Sequence, residues 1–277
     1  MQEEASFFDE AFDHVKCINL TRRPDRWQAF LRQHFVPRKL ERWEAIDGSL
    51  LLTHVPPSEE QEECQMEWDA SQNAKYDPHI QPPMMKRCTM GEVGCTLSHV
   101  AAWKEFCVLD DSAGGDGNGA STMLILEDDA IFHPTFLSSF SKMWKLVPED
   151  WDMFYLGFCN VGPTTPVVTA SSVKKNDPTN EDPRRQEEQG QQPDFTTISI
   201  VRPSYGFYTH AYALRTRGAQ KLLSQLPVVG PIDTWLADNS WFGMNVYLGV
   251  MGRSTCIIGQ QRKDLKNDIV HSAHCRD

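Results

Sequence analysis

Long apolar runs are missing from this sequence: none approaches the ~18 residues that a transmembrane helix needs. The leading stretch MQEEASFFDEAFDHV is acidic and lacks the apolar centre of a signal peptide, so the chain as it stands reads as soluble and without a secretion signal. The eight cysteines (17, 64, 88, 95, 107, 159, 256 and 275) contain no Cys-x-x-Cys, and a chain of 277 residues needs no disulfide staples; free thiols are expected. His271, His274 and Cys275 are ligand-type residues, but a closed zinc site wants a fourth partner at defined spacing and none is evident. There is no internal repeat and no strong Gly-rich phosphate loop. No Ser/His/Asp or Cys/His arrangement suggests a hydrolase.

What is present is the composition of an ordinary globular chain, 40% hydrophobic and 23% charged. The length fits one large α/β domain or two small ones. The net charge of −11 argues against a general nucleic-acid binder, but its distribution matters more than the sum. Residues 1–14 carry −5, and three insertion-like stretches, 53–87, 110–121 and 163–194, carry −4, −3 and −2. The remaining core is +3: residues 15–52 and 195–277 are each +4, around an acidic 122–162 at −4. Basic segments flanking an acidic one suit a diphosphate and its cation.

These boundaries describe an acidic N-terminal tail, 1–14, followed by a single domain over 15–277. The insertions read as long surface loops, too poor in apolar residues to repay the entropy of ordering. Elsewhere strand-like and helix-like pieces alternate. Strands are expected at 15–20, 40–46, 122–126, 151–158, 207–214, 246–250 and 256–258. Helices are expected at 22–35, 92–109, 134–146, 216–226 (with Thr216 as N-cap) and 232–238. This order argues an α/β sheet with crossover connections.

Four motifs carry chemistry. The apolar strand Leu124-Ile-Leu126 delivers Glu127, Asp128 and Asp129 at its carboxyl end, where open α/β sheets bind ligands. Three clustered carboxylates repel one another and gain from a cation, for which oxygen ligands select Mg²⁺ or Mn²⁺. Strand alternation would put Glu127 and Asp129 on one face and Asp128 on the other; the alternative is a solvated helix-capping turn. Asn19-Leu-Thr-Arg22-Arg23-Pro24-Asp25-Arg26 follows a strand and opens a helix, so main-chain N–H groups and guanidinium forks could meet phosphate there. Read otherwise, it is a solvated basic helix start with Asp25 pairing an arginine. Gly91-Glu92-Val-Gly94-Cys95-Thr-Leu-Ser98-His99 offers glycines for close backbone approach and polar groups one turn on. His99 could equally be a buried histidine bonded to a carbonyl, and Cys95 a small core residue. The aromatic run Ser204–Leu214, containing His210, and Pro231-Ile-Asp233 suit sugar recognition, a carboxylate beside rings being able to take a hydroxyl proton. Alternatively Asp233 is a first-turn carboxylate favoured by the helix dipole.

Together these motifs resemble glycosyltransferase family 25. The resemblance rests on Ile18–Arg26, Ala45-Ile-Asp47-Gly48, Gly91–His99, Leu124–Asp129, Trp151–Gly157, Thr209-His-Ala-Tyr-Ala213 and Pro231-Ile-Asp233, in register over about residues 15–236. The segment from Gln260 to Ile269 resembles the family's short Gln…Ser-Asp-Ile ending, with Asn267 in place of Ser. It implies a GT-A-like, Rossmann-type, mostly parallel sheet flanked by helices. It also implies inverting transfer of a hexose, usually galactose, from a UDP-sugar, often with Mn²⁺.

On this reading Asn19, Arg22, Arg23, Arg26, Asp47, Gly48, Gly91, Glu92, Ser98 and His99 serve the nucleotide sugar. Asp129 with Glu127 or Asp128 holds the cation, Asp233 or secondarily His210 is the acceptor-side base, and the 163–194 insertion is a candidate lid. The acceptor is a saccharide, a lipid-linked glycan or a protein hydroxyl. Bacterial-type relatives work in the cytoplasm and the collagen-modifying type in the secretory lumen. Two rivals remain: a non-catalytic module binding a glycan or protein, and a nucleotidyltransferase, which would release pyrophosphate.

Overall fold

The structure is a computed structural model that describes residues 2–51, 63–69, 71, 85–112, 121–159, 161–171, 197–237, 242–252 and 255–261. In chain order the strands are β1 His14–Asn19, β2 Leu40–Glu44, β3 Cys64–Gln65, β4 Glu67–Asp69, β5 Met85–Arg87, β6 Thr122–Glu127, β7 Ala130–Phe132, β8 Met153–Cys159, β9 Thr164–Ser171, β10 Thr197–Pro203, β11 Phe207–Arg215, β12 Val228–Val229, β13 Val246–Met251 and β14 Ile258–Gln260. The helices are α1 Gln2–Ala11, α2 Pro24–Leu31, α3 Met90–Ser112, α4 Phe136–Trp144, α5 Thr216–Leu223 and α6 Ile232–Ala237. Among the described residues no helix is long and apolar enough to cross a membrane.

Eight strands form one twisted sheet in the order β2-β1-β6-β11-β8-β13-β10-β9. Six of them point the same way, with only β11 and β10 reversed, which is the mostly parallel α/β architecture expected from the sequence. Period-two alternation builds the two layers. In β6, Leu124 and Leu126 enter the core beneath α1, α2 and α4, while Met123 and Ile125 face the core beneath α3, α5 and α6. A strand buried on both faces must be apolar throughout, which is why β6 reads as an unbroken apolar run.

The N-terminal segment is not a tail. Gln2–Ala11 forms α1, which packs on α4; Phe8 within it and Phe12 just after it are completely buried. Phe8 meets the rings of Phe12, Phe35, Phe136 and Phe140 at centroid distances of 5.3, 5.2, 5.4 and 4.9 Å. Phe8→Leu removes these ring contacts while keeping an apolar side chain, so a loss of ~1–2 kcal/mol is expected, read as a lowered midpoint in urea at unchanged slope.

The insertions also differ from expectation. Thr164–Ser171, inside the expected 163–194 loop, is edge strand β9, paired antiparallel with β10. Pro166 is tolerated there because an edge strand has an unpaired side. Helix α3 runs on to Ser112, into the expected 110–121 linker. The described part of 53–87 contributes β3, β4 and β5, with Cys64 and Trp68 buried against Cys88, Val93 and Leu97. Thr216 is the first residue of α5 rather than its cap, which is Arg215. The His271–Cys275 segment, and the lid expected from residues beyond 171, lie outside the described residues.

Candidate active site

The carboxyl ends of β1 and β6, the segment after β2, the first turns of α3 and α6, and a kink in β11 converge on a cleft of about 230 Å³. Its walls include Arg22, Arg26, Asp47, Gly48, Gly91, Glu92, Ser98, His99, Glu127, Asp128, Asp129 and Asp233, twelve of the fifteen residues the sequence nominated.

The three carboxylates all line this cleft, so Asp128 does not turn to the opposite face. Strand β6 ends at Glu127, and Asp128-Asp129 form a turn into β7, where strand alternation no longer applies. Arg26, in the first turn of α2, is buried between the two aspartates, 2.5 Å from Asp128 Oδ1 and 3.1 Å from Asp129 Oδ2. Asn19 donates to Asp128 Oδ2 at 2.5 Å and accepts from Arg42 at 2.8 Å. It therefore supports the carboxylates from behind instead of lining the cleft. Gln260 donates to Asp129 Oδ2 at 3.1 Å, while Asp129 Oδ1 is buried with no hydrogen-bond partner among the described residues.

Burial dominates the electrostatics here. It pushes the Asp128 carboxyl up to about 6 against the pull of Arg26 and Asn19. Burial, reinforced by the Glu127 charge, pushes Asp129 up to about 7. Burial also opposes the charge on Glu127, but His99 and the Thr209 hydroxyl, which donates at 2.6 Å, outweigh it and hold Glu127 well below the usual carboxylate range. The site is thus short of positive charge. An orphaned carboxylate oxygen on Asp129, in a set of hard oxygen donors, fits a divalent cation such as Mn²⁺ or Mg²⁺.

On the basic side, Arg22 pairs with Asp47 at 2.5 Å, and that hydrogen bond lowers the Asp47 carboxyl below its ordinary value. Asp47 also accepts from the Ser49 N–H and hydroxyl at 3.0 and 2.6 Å, which caps the short 3₁₀ turn Gly48–Leu50. Arg23 does not line the cleft; it forms a two-pronged pair with Asp25 at 3.0 and 2.9 Å, as in the solvated reading of this motif.

The α3 residues divide. Glu92 and Thr89 form a capping box: Thr89 N–H donates to Glu92 Oε2 at 2.7 Å, and Glu92 N–H to Thr89 Oγ1 at 3.2 Å. Ser98 accepts from Ile46 N–H at 2.8 Å and donates to the Gly94 carbonyl at 2.6 Å, tying the segment after β2 to α3. At the same crossing a Cβ on Gly94 would sit 2.6 Å from Gly48 N and 2.7 Å from Ile46 O. Both are main-chain atoms that cannot swing away. Gly94→Ala is therefore expected to cost ~1–3 kcal/mol, because it displaces the Asp47-Gly48 wall. Thermal melting checks this.

His210 is not in the cleft. Tyr208 adopts φ 74°, and the pairing of β11 with β8 shifts register between Phe207 and Ala211. This kink directs Tyr208 and Thr209 into the cleft and leaves His210 behind it, its Nε2 3.1 Å from the Ile258 carbonyl and its ring packed over Gly157. A left-handed tyrosine is strained, and such strain gathers at functional sites. Sequence reasoning passed over Tyr208, Thr209 and Gln260 as site residues. Thr209 and Gln260 did stand inside segments carrying the family resemblance, but alternation alone could not locate the kink.

The glycosyltransferase family 25 model, described as an LPS biosynthesis protein family, matches residues 12–236. The chain belongs to glycosyltransferase family 25. It is 27% identical over 232 residues to procollagen galactosyltransferase 2 of Mus musculus, covering 81% of this chain and 30% of that protein. It is 28% identical over 236 residues to procollagen galactosyltransferase 1 of Danio rerio (81% and 31%). It is also 29% identical over 234 residues to the inactive glycosyltransferase 25 family member 3 of Homo sapiens (81% and 31%). The chain therefore matches about a third of the length of these relatives, and the family contains members described as inactive.

Proposed function

We propose that the chain transfers a hexose, galactose foremost, from a UDP-sugar to a hydroxyl, with inversion at the anomeric carbon. The observation that carries this reading is the cleft itself. Buried Asp128 and Asp129 lie at a sheet's carboxyl edge beside Arg22 and Arg26, and Asp233 stands in the first turn of α6 on the same cavity.

In the proposed reaction the acceptor hydroxyl oxygen attacks the anomeric carbon while the bond from that carbon to the diphosphate oxygen breaks. The diphosphate leaves with the bonding electrons. Asp233 takes the hydroxyl proton, and its main-chain-bonded Oδ1, 2.8 Å from Thr234 N, fixes the carboxylate's orientation. Arg22 faces the phosphate region, and Arg26 holds Asp128 and Asp129 in place and favours their charged forms against the effect of burial. A divalent cation on Asp129 and Asp128 would offset charge on the departing diphosphate. Glu127, engaged by His99 and Thr209, stiffens the floor of the site.

A donor screen tests the proposal by measuring UDP or GDP release from a panel of nucleotide sugars, with and without Mn²⁺. The acceptors are simple saccharides and collagen-like peptides. UDP release from one sugar, dependent on an acceptor, is expected; pyrophosphate release would instead identify a nucleotidyltransferase. The inactive human relative keeps a second reading open, a glycan- or protein-binding module. Calorimetry with UDP and Mn²⁺ separates the two, since a module that has lost its donor site gives no heat of UDP binding.

A further inference from the structure

We propose a Zn²⁺ site on Cys95, His99 and Glu127, distinct from the hard-cation position on Asp128 and Asp129. Cys95 and His99 are four residues apart on α3, hence on one helix face, and Glu127 approaches from the end of β6. Their ligand atoms all lie within 4.8 Å of one another, and all three residues line the cleft.

The histidine makes this more than a cluster. His99 is fully buried, and its Nδ1 is held by the Tyr212 hydroxyl at 2.8 Å, which in turn accepts from Trp103 Nε1 at 2.9 Å. An outer oxygen partner on one ring nitrogen is the arrangement that orients the other towards a metal. Nε2 has no hydrogen-bond partner among the described residues; Glu127 Oε1, at 3.5 Å, is beyond ordinary hydrogen-bond length. Nε2–H faces Glu127 Oε1 across that gap, the interaction that lowers the carboxylate; in the tautomer with its proton on Nδ1, donating to Tyr212, Nε2 would offer a lone pair to a cation there.

The donor set selects the ion. Sulfur, imidazole and one carboxylate suit tetrahedral Zn²⁺, whereas Mn²⁺ and Mg²⁺ favour the oxygen-only pair next door. Binding releases the Cys95 thiol proton to solvent and forms the zinc–thiolate bond. Three protein ligands on a cleft wall leave the fourth position open to water or to an oxygen of a bound ligand. The proposal does not depend on the transfer reaction.

The test uses the full chain, stripped with a chelator and titrated with Zn²⁺ by calorimetry. Co²⁺ serves as a spectroscopic probe of thiolate ligation. One equivalent of Zn²⁺ and a near-ultraviolet thiolate-to-cobalt absorption are expected. Cys95→Ser should abolish the absorption and weaken Zn²⁺ by more than the ~10–100-fold that loss of an outer partner costs. Without any variant, Zn²⁺ should protect Cys95 of the native chain from alkylation, read by peptide mass spectrometry. Three results would overturn the proposal: absence of Zn²⁺ binding, an absorption that survives Cys95→Ser, or Zn²⁺ lost in Asp129→Asn but retained in Cys95→Ser. The last would place the ion on the aspartates and leave the proposed function standing.

Discussion

Asp233→Asn is expected to fold with an unchanged melting temperature and to lower kcat by ~10²–10⁴-fold, with donor KM near that of the unaltered chain. The change is isosteric. Asp233 Oδ1 accepts from the Thr234 N–H at 2.8 Å, an acceptor role the asparagine oxygen keeps, so the first turn of α6 holds its shape. In the proposed reaction, what is lost is the site that receives the acceptor proton. His210 cannot substitute, because the kink at Tyr208 has placed it behind β11 against the Ile258 carbonyl. Steady-state kinetics check this at saturating donor. A kcat within a few-fold of the unaltered chain would remove Asp233 from the mechanism.

Arg26→Met is expected to cost ~3–5 kcal/mol of stability and to abolish most transfer. The guanidinium is buried between Asp128 Oδ1 and Asp129 Oδ2, with Glu127 adjacent in sequence. Removing it leaves buried carboxylates facing one another, a far larger penalty than losing a surface ion pair. A divalent cation should recover part of the loss, because it binds the folded state and neutralises the same charges. The check is a pair of thermal melts, with and without Mn²⁺, on both proteins. The variant should gain more from the ion than the unaltered chain does. An equal gain in both, or an unchanged melting temperature on substitution, would show that Arg26 does not neutralise this pair.

Both expectations depend on features that were unequally legible in the sequence. Strand β6 and its carboxylates were plain because a strand buried on both faces has to be apolar, and a polar run at its end then stands out. Strand β1, helix α3 and the short helix after Pro231 were plain for similar reasons of periodicity and punctuation. Helix α1 was hidden by its own acidity. Glu3, Glu4, Asp9 and Glu10 dominate its composition, although Phe8 and Phe12, one turn apart, hold it to the core. Strand β9 was hidden by Pro166 and by the polar stretch that follows, since an edge strand needs little apolar surface.

Within the site, residue type was easier to read than direction. Glu92 was nominated for a ligand, yet the Thr89-x-x-Glu92 spacing is that of a capping box, and the structure uses it so. Asp128 was placed by strict alternation, and His210 was nominated from its position in the aromatic run. In both places the strand stops or kinks, at Asp128 because β6 ends and at His210 because Tyr208 turns left-handed. Gly94 was read as room for close approach of a ligand or of a neighbouring strand, and it is neighbouring backbone that takes the room. The capping box is local, but Asp128, His210 and Gly94 were settled by contacts with segments distant along the chain, which no local pattern contains.

The central claim is that this cleft transfers a sugar with inversion. Proton NMR of UDP-α-galactose incubated with the chain, Mn²⁺ and the acceptor panel tests it most directly. The account predicts loss of the α-anomeric donor signal, growth of a β-linked product signal, and neither change with Asp129→Asn. An α-linked product, or turnover that Asp129→Asn leaves intact, would contradict it.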